Sequence, residues 1–92
     1  MKVNFYATLR RIAGQKTVEF DQEYGLTAQQ LLEAVLERFP DMRDELVDAE
    51  GNLFGHVHLF VNGRDSRFLA NEINTPIVQG DKVDIFPAVG GG

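Results

Sequence analysis

Residues 3–8, VNFYAT, alternate apolar and polar, with Val3, Phe5 and Ala7 on one side and Asn4, Tyr6 and Thr8 on the other. Period-two alternation over a short run predicts a strand. Gly14 interrupts the chain, and Lys16-Thr17-Val18-Glu19-Phe20 alternates again. Two such runs joined through a short glycine-containing connection predict a hairpin. The period then changes. Leu31, Leu32, Val35, Leu36 and Phe39 repeat at helical spacing, which gives one apolar stripe. Thr27 with Gln30 forms a capping box ahead of the stripe, and Leu26 and Leu31 stand at the staple positions. Pro40 ends the helix.

Beyond it, Asp41–Val47 predicts a short helical turn with Met42 and Leu46 inward, and Glu50-Gly51-Asn52 a turn. Gly55–Val61 predicts a third strand with Val57, Leu59 and Val61 on one face and His56, His58 and Phe60 on the other. Asn62-Gly63 is a type I′ turn pair, since both central residues must accept positive φ. Phe68-Leu69 is expected as a short strand. Gly80-Asp81 turns into Lys82-Val83-Asp84-Ile85-Phe86, the last strand, ended by Pro87. The order is β-β-α-β-(β)-β. It predicts an α+β chain in which a sheet of four to five strands packs on one main helix, each covering the other's apolar side. Val3, Phe5, Val57, Leu59, Val61, Val83 and Ile85 are the expected helix-facing set.

Composition narrows the chemistry. Ninety-two residues support one domain. The absence of cysteine removes disulfides, thiolate metal sites and a thiol nucleophile, and it fits a reducing compartment. A net charge of −5 lacks the basic footprint of a polyanion binder, so no nucleic-acid partner is expected. Arg10-Arg11 and Arg64–Arg67 are read as solvated surface. No run approaches the ~20 apolar residues that span a bilayer, and no signal-peptide pattern opens the chain; a cytoplasmic location without membrane contact is expected. His56 and His58 have no evident third ligand, so no metal site is expected, and the acidic pairs Glu33/Glu37 and Asp44/Glu45 read as solvated helix faces.

The end of the chain is less ordinary. Three of nine glycines are Gly90, Gly91 and Gly92, directly after Phe86-Pro87-Ala88-Val89. Glycine loses more conformational freedom on ordering than other residues, so such a stretch adds nothing to stability. A flexible tail over 88–92, attached to a globular body over 1–87, is the expectation. A tail without side chains threads a narrow tunnel, and the Gly92 carboxylate has no Cβ shielding its carbonyl. The residues from Pro87 to Gly92 reach roughly 20 Å when extended. A tolerated frayed end is the plain alternative.

VNFYATLRRIAG at the start, VNG in the middle and GDKVDIFPAVGGG at the end resemble the MoaD/ThiS group of ubiquitin-like sulfur carriers, which includes molybdopterin synthase small subunits and archaeal small modifier proteins. The resemblance implies a β-grasp fold, with the first and last strands parallel in the middle of the sheet. It also implies that the chain is a co-substrate and not an enzyme. An ATP-using adenylating enzyme of the ubiquitin-activating type would activate Gly92, a persulfide would convert it to a thiocarboxylate, and the large subunit of molybdopterin synthase would receive the sulfur. No cofactor is expected on this chain; the ATP belongs to the activating enzyme. Partner contacts are expected at Tyr6, Phe60, Phe86, Pro87 and Val89, with Gly90 and Gly91 as the tail. The same residues admit a structural reading, Tyr6 at the rim of the core and Phe60 beneath the segment 48–55. Three other functions stay open: a modifier joined through Gly92 to protein lysines, a thiazole-forming sulfur carrier, and a non-reactive β-grasp interaction module.

Overall fold

β1 (Lys2–Phe5) and β5 (Val83–Phe86) run side by side and parallel, Val3 opposite Val83 and Phe5 opposite Ile85, in a computed structural model that describes residues 1–87. The expected tail, with Val89, Gly90, Gly91 and Gly92, lies outside the described residues. β2 (Thr17–Glu19) pairs antiparallel with β1. On the other flank β3 (His58–Val61) pairs antiparallel with β5, and β4 (Arg64–Asp65) with β3. Among the described residues the sheet order is β2-β1-β5-β3-β4, with the first and last strands inside it. That is the expected α+β, β-grasp arrangement.

The main helix, α2 (Ala28–Arg38), starts on the expected capping box: the Gln30 amide donates to the Thr27 hydroxyl, and the Thr27 amide donates to the Gln30 side chain. Leu31, Leu32, Val35 and Leu36 are buried with Val3, Phe5, Val57, Leu59, Val61, Val83 and Ile85 in one apolar cluster. Phe5 meets Phe39 edge-on at 5.9 Å between ring centres, joining β1 to the end of the helix. Pro40 begins a 3-10 turn (Pro40–Met42) that leads into the single turn α3 (Arg43–Leu46), and Met42 and Leu46 are buried as expected. At Asn62-Gly63 both φ angles are positive, 54° and 80°, which confirms the tight turn between β3 and β4.

Four local expectations need correction. The first strand stops at Phe5, and Thr8–Ala13 is a helix, α1, not a continuation into a hairpin loop. Ala7 at φ 53° reverses the direction of the chain, Leu9 sinks into the core and Gly14 closes the helix in a left-handed conformation. The β1–β2 pairing is as expected; only the connection differs. The third strand starts at His58, because Phe54–Val57 forms a turn in which the Val57 amide reaches the Phe54 carbonyl. Ser66–Phe68 is a 3-10 turn, not a strand, because the Asp65 carboxylate accepts from the Arg67 amide and caps it. Finally, Arg67 is not solvated surface: its guanidinium donates to the carbonyls of Phe54 and Val57 at 2.8 and 2.7 Å and to the Asp65 carboxylate.

Candidate functional site

The sheet face turned away from α2 carries two rows of side chains. The registers place Thr17, Asn4, Asp84, Phe60 and Asp65 side by side across β2, β1, β5, β3 and β4. At the end of the sheet where β5 finishes, His58 lies opposite Phe86, and Tyr6 follows β1 beside them. Alternation sets this up: the neighbours Phe5, Leu59 and Ile85 point into the core, so Tyr6, Phe60 and Phe86 point outward.

The outward rings are joined. Tyr6 and Phe86 stack with centroids 4.1 Å apart and planes 11° from parallel. Phe60 meets Phe86 edge-on at 5.4 Å, and His58 stacks on Phe60 at 5.7 Å. Offset and edge-on pairs of this kind hold rings together beyond simple area burial. Each of the three expected aromatic contacts is half-buried because it covers its neighbour. Pro87 is buried, so it ends β5 without presenting a surface. Val89 and the three glycines are outside the described residues, and the structure brings nothing to them.

Two acidic groups lie under this cluster, and the sequence reading did not single either out for it. Asp84 is 6% exposed although alternation points it outward. Its Oδ1 accepts from the Tyr6 hydroxyl at 2.8 Å and from Asn4 Nδ2 at 3.0 Å, and the Thr17 hydroxyl donates to Asn4 Oδ1 at 2.6 Å. The contact raises the pKa of the Tyr6 phenol, first through the hydrogen bond to Asp84, then through burial and the Asp84 charge. Asp65, 8% exposed, lies beside His58 and Arg67. A polar residue at an outward strand position whose neighbours are Asn and Tyr was the available signal for Asp84.

The remaining candidates separate from the cluster. His56 lies outside β3 and stacks on Phe54 at 5.1 Å. Among the described residues no group of three or more His, Asp or Glu side chains is placed to hold a metal ion, and no helix is long and apolar enough to cross a membrane. Glu45 accepts from the Thr8 hydroxyl at 2.6 Å, tying α1 to α3. Phe68, 76% exposed, is a large apolar side chain that the sequence reading had placed in a strand.

Known proteins resemble the whole of this architecture. Small archaeal modifier protein 1 of Haloferax volcanii is 27% identical over 92 residues, all of both chains. Its crystal structure superposes with a TM-score of 0.82 at 26% identity, over 99% of this chain and 97% of that one. A candidate sulfur carrier protein of Archaeoglobus fulgidus is 33% identical over 78 residues, 85% of this chain and 86% of its own. The crystal structure of the BexX/CysO complex of Amycolatopsis orientalis contains a chain with a TM-score of 0.78 and 30% identity, covering 99% of this chain and 98% of that one. The profile of the ThiS family matches residues 3–92, from the first strand through the final glycines, and this chain belongs to the ThiS family.

Proposed function

We propose that this protein carries sulfur on the carboxyl group of Gly92, and that the Tyr6–Phe86–Phe60 face docks it onto the partners that load and unload the tail. The observation that carries the reading is the family match running through Gly91-Gly92, a short span of chain beyond an aromatic face at the end of β5. Residues 1–87 are the grip and 88–92 the arm.

The chemistry requires outside help, because a carboxylate resists nucleophiles. An adenylating enzyme joins Gly92 to AMP and releases pyrophosphate, which turns the carboxylate oxygen into a good leaving group. A persulfide sulfur attacks the carbonyl, AMP departs and an acyl disulfide forms. A second thiol then reduces its S–S bond, leaving the thiocarboxylate on Gly92 and a disulfide between the two thiols. The favoured acceptor is the pterin precursor of the molybdenum or tungsten cofactor, bound by a synthase large subunit. A cytoplasmic location accompanies this role. That a relative of the same fold was crystallised in a BexX/CysO complex supports docking as the working mode of the family.

Loading is tested by incubating the protein with a cognate adenylating enzyme, ATP and a persulfide donor, then measuring intact mass. Replacement of one oxygen by sulfur is the expected change, lost in Gly92→Ala and on deletion of Gly92 while both variants fold normally. A mass that stays at the plain carboxylate overturns the reading. A second reading, isopeptide conjugation of Gly92 to lysines, is favoured by the full-length likeness to a small archaeal modifier protein. It predicts species heavier than the free chain when a lysine-bearing acceptor replaces the pterin.

A further inference from the structure

We infer that Asp84 is a positioning residue for docking: it holds the Tyr6 ring flat against Phe86, so that the carrier meets its partner with a preformed aromatic surface. The inference rests on the sulfur-carrier reading for its functional consequence and on geometry for its cause. An outward residue on a central strand is normally free to solvate, and a buried carboxylate is costly unless it is bonded. Asp84 stays buried because Asn4 and Tyr6 both donate to Oδ1. The relation also works in reverse. A phenol on a ring at the end of a strand has rotational freedom, and one short charge-assisted hydrogen bond removes it. The ring so fixed lies 11° from parallel with Phe86 at 4.1 Å. Thr17 extends the support by orienting the Asn4 amide, so β2, β1 and β5 each contribute to one ring's placement.

Charge surrounds this contact from several elements. Lys16, just before β2, sits over the Tyr6 ring at 5.2 Å, and Lys82 Nζ lies 3.9 Å from Asp84 Oδ2. The phenol itself donates to Asp84 and to neither lysine, so the Asp84 bond is the directional contact on the ring. Ordering a ring before contact lowers the entropy cost of binding. The effect therefore belongs to association with the partner and not to the acyl chemistry at Gly92.

The test combines a measurement on the free protein with one on the loading reaction. In the free protein, nuclear magnetic resonance reads the upfield shift that Phe86 imposes on the Tyr6 ring protons. That shift is expected to collapse in Asp84→Ala and to persist in Asp84→Asn, which keeps an acceptor oxygen. Absorbance titration in a Tyr24→Phe background should show Tyr6 ionising above the usual phenol value, returning toward it in both Asp84 variants. In ATP–pyrophosphate exchange by the adenylating enzyme, Asp84→Ala is expected to raise KM for the carrier about tenfold with kcat unchanged, Asp84→Asn to restore most of the loss, and Tyr6→Phe to resemble Asp84→Ala. A backbone spectrum confirms that each variant is folded; if Asp84→Ala is not, Tyr6→Phe decides by the same KM criterion. A Tyr6 shift unchanged in Asp84→Ala overturns the inference, as does a lost shift with unchanged KM. Absence of exchange with the wild-type protein refutes the sulfur-carrier reading instead, and the ring shifts still decide whether Asp84 positions Tyr6.

Discussion

His58 Nδ1 lies 2.7 Å from Asp65 Oδ2 across the β3–β4 hairpin. Burial alone pushes the Asp65 carboxyl up, but the Arg67 amide, then the His58 ring and the Arg67 charge, reverse this and hold it below the usual aspartate value. Asp65 is thus ionised at neutral pH, and its Oδ2 pairs with Nδ1 of a ring that is 47% exposed and stacks on Phe60.

The sign of the pH effect follows. A carboxyl with a lowered folded pKa contributes its stability in full above the unfolded value and loses it as pH falls through the folded one. Asp65→Asn is expected to cost about 1–3 kcal/mol near pH 7 through weakened bonds to His58 and Arg67. Urea unfolding at acid pH should show that difference shrinking as pH falls below about pH 4, where the Asp65 carboxyl takes up its proton. A gap that stays undiminished through the acid range would contradict the assignment.

Leu32 is fully buried at the centre of the α2 stripe. Leu32→Ala is expected to destabilise by about 2–5 kcal/mol, and Leu36→Ala, at the slightly more open end, by less. Denaturant midpoints at constant slope measure both.

The capping box makes Thr27 the start of the helix in both senses of the pair. Thr27→Ala should cost about 0.5–2 kcal/mol, while Thr27→Asp or Thr27→Ser should recover most of it. Thermal unfolding at fixed pH separates these variants.

Ala7 holds φ 53° and ψ −126°, a conformation that suits glycine far better than a residue with a Cβ. Strain of this kind stores about 1–3 kcal/mol. Ala7→Gly is therefore expected to leave stability unchanged or raise it, against the usual penalty for adding a glycine. A loss above about 1 kcal/mol in chemical denaturation would show that the turn is relaxed in solution.

That same residue marks where pattern reading fails. Alternation carried the first strand to Thr8 because polar and apolar positions continue in period two past the point where the backbone turns. Leu9 and Ile12 at helical spacing, with Gly14 behind them, were the competing signal for α1, but no side-chain cap announces its start. α2, by contrast, was legible in full because cap, stripe and terminating proline agree. The parallel centre of the sheet was not readable from periodicity, which is blind to strand direction; it came from family resemblance. Of the candidate site, alternation found Tyr6, Phe60 and Phe86, whose faces follow from their neighbours. It missed Asp84 and Arg67 because both are polar residues whose burial depends on partners far away in sequence, Tyr6 for one and the Phe54 and Val57 carbonyls for the other.

β5 is bonded along both flanks, to β1 on one and β3 on the other. A tug on the backbone at Pro87 thus loads two ladders in shear at once, and neither can open one rung at a time. Applied to β2 or β4 at the margin, the same load would be met by a single ladder. Any pull applied to the chain at Pro87 would therefore meet a strand anchored from two sides, held like a cork on a wire.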